Sequence, residues 1–160
     1  MKGAHTSQVI WAAALLDDAL EQIIADRMPN MSNRFHEKLF EGYGPFATFS
    51  AKIDVAYAMN FIAVEMRTDL LHIKAVRNEF AHATKRLDFH AQVVKDLLAK
   101  FRAYDSVMDP HAFFMGRVSE CHATLGKKRY LGALARALIA SPTGPGLMDS
   151  AAPASPEKSE

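Results

Sequence analysis

The chain contains 160 residues, of which 49% are hydrophobic and 23% charged, the balance of an ordinary globular domain with one core. Nineteen Lys and Arg residues against 18 Asp and Glu residues leave a formal net charge of +1, which argues against a protein that neutralises many nucleic-acid phosphates by itself. The one cysteine, Cys121, excludes an internal disulfide and a cysteine-built zinc site, and apolar neighbours favour its burial.

The N-terminal segment does not have the pattern of a membrane span or a signal peptide. Its apolar stretch is short and is soon interrupted by Asp17 and Asp18. The amphipathic pattern continues through the segment, and no small-residue cleavage site follows a basic and apolar run. We therefore expect a cytoplasmic protein.

Apolar residues recur at spacings of three and four along most of the chain, which is typical of amphipathic helices. The predicted helices cover about residues 6–27, a short segment capped by Ser32, residues 46–59, residues 64–83, a segment capped by Asp88 that reaches Phe101, and residues 110–139. Three glycines are expected to bend or break the last of these helices. Residues 1–140 are thus predicted to form one all-α bundle of five to seven helices.

The final segment, residues 141–160, has a different composition. It is rich in Pro, Ser, Gly and Ala and has almost no apolar residues to bury. Such a composition predicts a disordered tail.

Two charged residues occupy positions on the predicted apolar stripes. Arg77 follows Met66, Leu70 and Ile73 in a heptad pattern on the fourth helix, and Asp17 interrupts the stripe of the first helix. A buried guanidinium needs a carboxylate partner. We therefore predict a structural ion pair between Arg77 and Asp17, with Asp54 on the third helix as the competing partner.

Arg77, Asn78 and His82 form the one constellation that suggests catalysis. Asn78 and His82 share a helix face, whereas Arg77 diverges from His82 by about 140° at the α-helical angle per residue. An arginine, an amide and a histidine can orient a phosphodiester and move its protons without a metal. The alternative is that Asn78 and His82 only satisfy backbone or neighbouring-helix groups, and these residues alone favour that alternative.

Two further segments are weaker candidates. Gly42, Gly44 and Pro45 predict a turn before the third helix, where a helix start offers a less favoured anion site. The last helix carries a basic cluster of Lys127, Lys128, Arg129 and Arg136. It is a weak candidate for a nucleic-acid patch, and the simpler interpretation is a solvent-exposed helix face. The seven histidines show no zinc-protease spacing, so neither a metal nor a cofactor is expected.

Several blocks of the sequence resemble the mannitol operon repressor family. Residues 39–58 are similar to its gly-pro…phe-ser-ala block, residues 16–21 to its first-helix block, and residues 77–82 to its arg-asn-x-phe-ala-his block. Order and spacing agree from about Val9 to Phe101. The Arg-Asn-x-x-x-His motif also resembles that of HEPN domains (higher eukaryote and prokaryote nucleotide-binding), whose active members cleave RNA without a metal across a dimer interface.

These resemblances imply two functions. The first is a repressor-like transcriptional regulator of carbohydrate-utilisation genes, which acts through a protein partner, either a transcription factor or a sugar-transport component. This interpretation fits the near-zero charge and the lack of a DNA-reading motif, so specific DNA binding by the chain alone is not expected. The alternative is a HEPN-type endoribonuclease, or its inactive toxin–antitoxin partner, with Arg77, Asn78 and His82 at the site. A homo-oligomer is expected under both interpretations.

Overall fold

In a computed structural model that describes residues 4–140, all the regular secondary structure within that range is α-helical. The six helices are α1 (Ala4–Ala25), α2 (Asn33–Phe40), α3 (Phe49–Ala58), α4 (Val64–His82), α5 (Gln92–Leu98) and α6 (Pro110–Ala140). The predicted all-α bundle is confirmed. The predicted disordered tail, 141–160, lies outside the described residues.

Helix α1 is the central element of the bundle. It packs against α3, α4 and α6, and its apolar side chains are fully buried at a spacing of three or four residues: Val9, Ala12, Leu16, Leu20, Ile23 and Ile24. This spacing places one continuous stripe on the core side of the helix. The core therefore lies around α1.

Helices α1 and α6 run parallel to each other, and α6 is longer. His5 near the start of α1 stacks on His111 at the start of α6, with 5.1 Å between the ring centroids. Near the other end, Arg129 binds Asp26 through Nε, at 2.6 Å. Since α6 has 31 residues and α1 has 22, the last turns of α6, beyond Gly132, extend past the end of α1.

Helix α6 is continuous, contrary to the expectation that its glycines bend or break it. It begins with Pro110, and the carboxylate of Asp109 accepts a hydrogen bond from the amide of Ala112, at 2.8 Å. Proline at the first helical position and aspartate as the capping residue are both favourable helix starts. Gly132 lies against the guanidinium of Arg27, which would have to shift to admit a side chain at this position.

Two predicted helix starts are wrong. Helix α3 begins at Phe49 rather than at residue 46, because the hydroxyl of Thr48 caps it by accepting from the amide of Ala51. Asp88 does not cap α5; its carboxylate accepts a hydrogen bond from the amide of His90 in a turn, and α5 starts at Gln92. In both cases a hydrogen bond between a side chain and a nearby backbone amide sets a helix start different from the predicted one. The predicted cap at Ser32 is confirmed.

We expect that a chain ending at Ser141 folds as the full chain does, because residues 142–160 offer no apolar periodicity and little area to bury. The measurement is a thermal melt of both chains, followed by circular dichroism. A truncated chain that aggregates, or that melts much earlier, would show that Leu147 and Met148 pack on the bundle.

No helix within residues 4–140 has both the length and the apolar character needed to cross a membrane.

Candidate functional site

A charged cluster lies between α1 and α3. It includes Asp17, for which an ion pair was predicted, but its cation, Lys52, was not predicted. The ammonium group of Lys52 is buried and lies 2.6 Å from Glu21 Oε2 and 3.1 Å from Asp17 Oδ1. Glu21 also lies 3.1 Å from Nε2 of His36 on α2. One buried lysine thus connects the first helix to the third through two carboxylates.

The predicted ion pair of Arg77 with Asp17 or Asp54 is wrong. Asp17 is paired with Lys52, and Asp54 is paired with Arg67, whose Nη2 lies 2.7 Å from Oδ1. Arg77 is exposed, because Val76 takes the buried position on α4 between Ile73 and Phe80. The heptad spacing thus predicted burial for Arg77, whereas the buried residue is the one before it, Val76.

The pKa values of Asp17 and Lys52 express opposing effects of burial and pairing. Burial raises the pKa of Asp17, and the attraction of Lys52 offsets this only in part. Burial lowers the pKa of Lys52, but its contacts with Glu21 and Asp17 outweigh burial and leave that pKa above its ordinary value. Lys52 therefore stays charged at neutral pH and is the residue that stabilises the cluster.

Arg77, Asn78 and His82 lie together on the last turns of α4. Arg77 Nη1 donates a hydrogen bond to Asn78 Oδ1, at 3.0 Å, so the amide is partly used to hold the guanidinium. Both Arg77 and His82 are exposed, and Asn78 is half-buried. His82 is therefore accessible to a substrate, which is what the nuclease hypothesis requires of a catalytic base.

The turn between α2 and α3 has the predicted glycine geometry. Gly42 has a φ of +56°, which favours glycine, and Gly44 lies directly against the carbonyl of Leu39. Pro45 does not occupy the first position of a helix, since α3 begins four residues later. The helix start on which the anion-site hypothesis depended is therefore not at Pro45.

The four basic residues of the 127–136 cluster are divided between two sides of α6. Arg129 is engaged with α1, where its Nε binds Asp26 and its Nη1 binds Gln22 Oε1, at 2.7 Å. At 100° per residue, Arg136 lies on the same side of α6 as Arg129. Lys127 lies on another side, together with Leu131 and Leu134. The cluster thus does not present its four charges to one ligand.

The exposed side of the last turns of α6 is apolar. Five large side chains are open to solvent in these turns, and apart from Ile139 (86%) they share one side of the helix: Tyr130 (69%), Leu131 (60%), Leu134 (44%) and Leu138 (69%). Their spacing places them within about 100° of the helix circumference. We call these four residues, with Lys127 and Lys128 at their N-terminal edge, the α6 face. Residues 127–139 contain no acidic residue, so the α6 face is both apolar and basic.

An ion pair between α4 and α6 was not predicted from the sequence. The guanidinium of Arg117 binds the carboxylate of Asp69 and also that of Glu120. The signal was present, because Arg117 is spaced three and four residues from Phe114 and Cys121, both of which are buried. A charged residue at such a position needs a partner on the facing helix.

Cys121 is buried, as predicted, and behaves as part of the core. Burial raises the pKa of its thiol to about 11. Since a thiol must ionise to react, this cysteine is unreactive at neutral pH. Within residues 4–140, no group of three or more His, Cys, Asp or Glu residues is arranged to hold a metal ion.

The fold and these surfaces define an all-helical bundle with an exposed apolar and basic helix face. The structure is similar to a chain in the X-ray structure of the MtlR–HPr complex from Escherichia coli, with a TM-score of 0.55 and 17% sequence identity over 78% of this chain and 84% of that chain. At this identity the likeness concerns the fold. No protein-family model matches the sequence, and no curated protein is similar to it.

Proposed function

We propose that this chain is a repressor-like regulator of carbohydrate-utilisation genes that acts in the cytoplasm by binding a protein partner through the α6 face. The observation that carries the proposal is that face itself: four large side chains, three of them leucines, stand open to solvent on one side of α6. Contiguous exposed apolar surface on a folded protein marks an interaction site more often than chance exposure does.

The charge of the α6 face favours a partner with an acidic surface. Lys127 and Lys128 border the apolar side chains, and residues 127–139 carry no acidic side chain of their own. In a contact between two copies of this helix, the lysines of one copy would lie near the lysines of the other. Their repulsion opposes such a contact. Tyr130 adds an aromatic side chain of the kind that is enriched at interface hot spots.

The similar structure supports a protein partner at the level of the fold. It contains MtlR together with a second protein, HPr. We propose that the partner of this chain is a transcription factor or a sugar-transport component, the two classes implied by the family resemblance. The first experiment is a calorimetric titration of the chain with HPr from its own cells, and then with regulators of sugar genes. Saturable binding to one of them supports the proposal. If high salt weakens this binding but does not abolish it, the contact is apolar with a basic edge.

We expect that the purified chain does not bind its own upstream DNA specifically. Arg129 is engaged by Asp26 and Gln22, and Arg136 lies on the side of α6 away from Lys127, so the 127–136 cluster presents few cations to one duplex. The measurement is a salt-dependent titration against the native upstream duplex and a scrambled one. A preference of about 10³ or more for the native site, as specific binders show, would overturn the partner-mediated proposal.

The exposure of His82 supports a second candidate, a HEPN-type endoribonuclease or its inactive partner. Arg77 and His82 diverge around α4, so this hypothesis needs a second copy of the chain to complete the site. The test is incubation with RNA in the presence of a chelator, together with the oligomeric state by light scattering. Products with cyclic-phosphate ends that disappear in His82→Ala would establish this candidate; intact RNA with a folded dimer would remove the nuclease.

A further inference from the structure

A cavity of about 510 Å³ lies between the start of α4, the segment that follows α5, and α6. Its size falls in the range of small-molecule sites. The aliphatic side chains of Val64 and Ala103 form part of its wall, and three cations, Lys100, Arg102 and Arg117, line it as well. This cavity is separate from the α6 face and shares no residue with it.

Arg117 is held in place at the cavity wall before any ligand binds. Its guanidinium reaches from α6 to Asp69 on α4, and although burial opposes its charge, the bond to Asp69 keeps the pKa of Arg117 above its ordinary value. The Nε–H of Arg117 is buried and has no acceptor among the described residues. A buried donor without an acceptor is unfavourable, and Arg117 therefore carries an unused donor beside the cavity.

The other two cations of the wall are available to a ligand. The side chains of Lys100 and Arg102 form no hydrogen bond or ion pair within residues 4–140, and both residues are exposed at the segment after α5. Asp69 is neutralised by Arg117, which leaves Glu65 as the remaining acid of the wall. With Glu65 counted, Lys100 and Arg102 leave the wall with a net positive charge that favours an anion, and an arginine suits the geometry of phosphate oxygens.

We infer that this cavity binds a small organic phosphate, with the phosphate group at Lys100 and Arg102 and the carbon body against Val64 and Ala103. Glu65 and Thr68, which also line the cavity, offer oxygen atoms to hydroxyl groups on that body. The inference does not depend on the α6 face, since a chain without a protein partner would still bind the ligand.

The test is calorimetric titration of the full chain with a hexose 6-phosphate, with the same hexose without phosphate, and with inorganic phosphate. We expect saturable binding of the phosphate ester that is at least tenfold tighter than that of either fragment, because the charge and the body are both contacted. The double variant Lys100→Ala/Arg102→Ala should weaken this binding at least tenfold. Its melting temperature without ligand should be unchanged, because both side chains are exposed and unpaired.

The matched control is Lys85→Ala/Arg86→Ala, which removes two exposed cations from the segment between α4 and α5. This variant should bind the phosphate ester as the unchanged chain does. Three results would overturn the inference: no binding of the ester at millimolar concentration, equal binding of inorganic phosphate and the ester, or equal loss of binding in the two double variants.

Discussion

Replacement of Lys52 by alanine is expected to lower the free energy of unfolding by roughly 3 kcal/mol, because it leaves two partly buried carboxylates without their cation. Lys52 is 3% exposed, and its partners Asp17 and Glu21 are 29% and 24% exposed. For a domain of this size, such a loss lowers the melting temperature by roughly 10 °C. Chemical denaturation, with the slope compared between variants, measures it.

Arg77→Ala is the matched control, because it also removes a cation from a helix but from an exposed position whose hydrogen bond is to the adjacent Asn78. We expect it to change the stability by no more than about 0.5 kcal/mol. Asp17→Asn should be less harmful than Lys52→Ala, because burial disfavours the charge of Asp17. Equal stability of Lys52→Ala and the unchanged chain would contradict the buried cluster.

The pKa of Lys52 gives the same cluster a pH dependence. Because the pKa of Lys52 is raised in the folded protein above its ordinary value of 10.5, the stabilisation it provides is complete below that value and is lost as the pH rises through the raised pKa. The difference in stability between the unchanged chain and Lys52→Met should therefore shrink in strongly alkaline solution. A difference that stays constant there would argue against a charged Lys52.

Leu134→Glu is expected to weaken binding of the protein partner at least tenfold while the bundle remains folded. Leu134 is 44% exposed and lies in the middle of the α6 face, so the substitution places a charge at the centre of the proposed contact. A hot-spot residue near the centre of an interface contributes about 2 kcal/mol or more, which is roughly a thirtyfold change in affinity. Calorimetric titration against the identified partner measures the loss.

Val107→Glu is the control for Leu134→Glu. It introduces the same charge in place of an exposed apolar side chain, 89% open to solvent, in the segment before α6. Since α6 rises by about 1.5 Å per residue, this position is far from Leu134. If both variants bind the partner as the unchanged chain does, the α6 face is not the contact.

The fold class was predictable because the apolar spacing of three and four is repeated in every long helix. The first helix was predicted over about residues 6–27 and is observed at Ala4–Ala25. Helix starts were less predictable, since Thr48 and Asp88 each have a side chain that can cap a helix or close a turn. Which of these bonds forms depends on the packing of the neighbouring helices, and one residue type does not determine it.

The charged cluster was half predictable. The position of Asp17 on an apolar stripe correctly indicated a buried partner, but the choice of Arg77 was wrong. Lys52 is spaced three residues after Phe49 and four before Ala56, and this pattern marks it as a buried base as clearly as the pattern around Arg77 did. A single sequence does not show which of two such cations faces α1.

The α6 face was the least predictable feature. In the sequence its leucines have the same spacing as core leucines, so spacing alone does not show that they are exposed. Only the structure shows that Leu134 and Leu138 lie on the side of α6 away from Gly132, which contacts Arg27. The cavity was likewise not predictable from the sequence, because its cations Lys100 and Arg117 are 17 positions apart in the chain.

The most direct test of the partner-mediated account is a cross-linking experiment in the cells that produce the protein. A photoactivatable residue is placed at Leu134 in one chain and at Val107 in another, and both protein and nucleic acid are analysed after capture. The account predicts that one defined protein, a transcription factor or a sugar-transport component, is joined to position 134 and not to position 107. Recovery of nucleic acid alone, or of the same proteins at both positions, would contradict it.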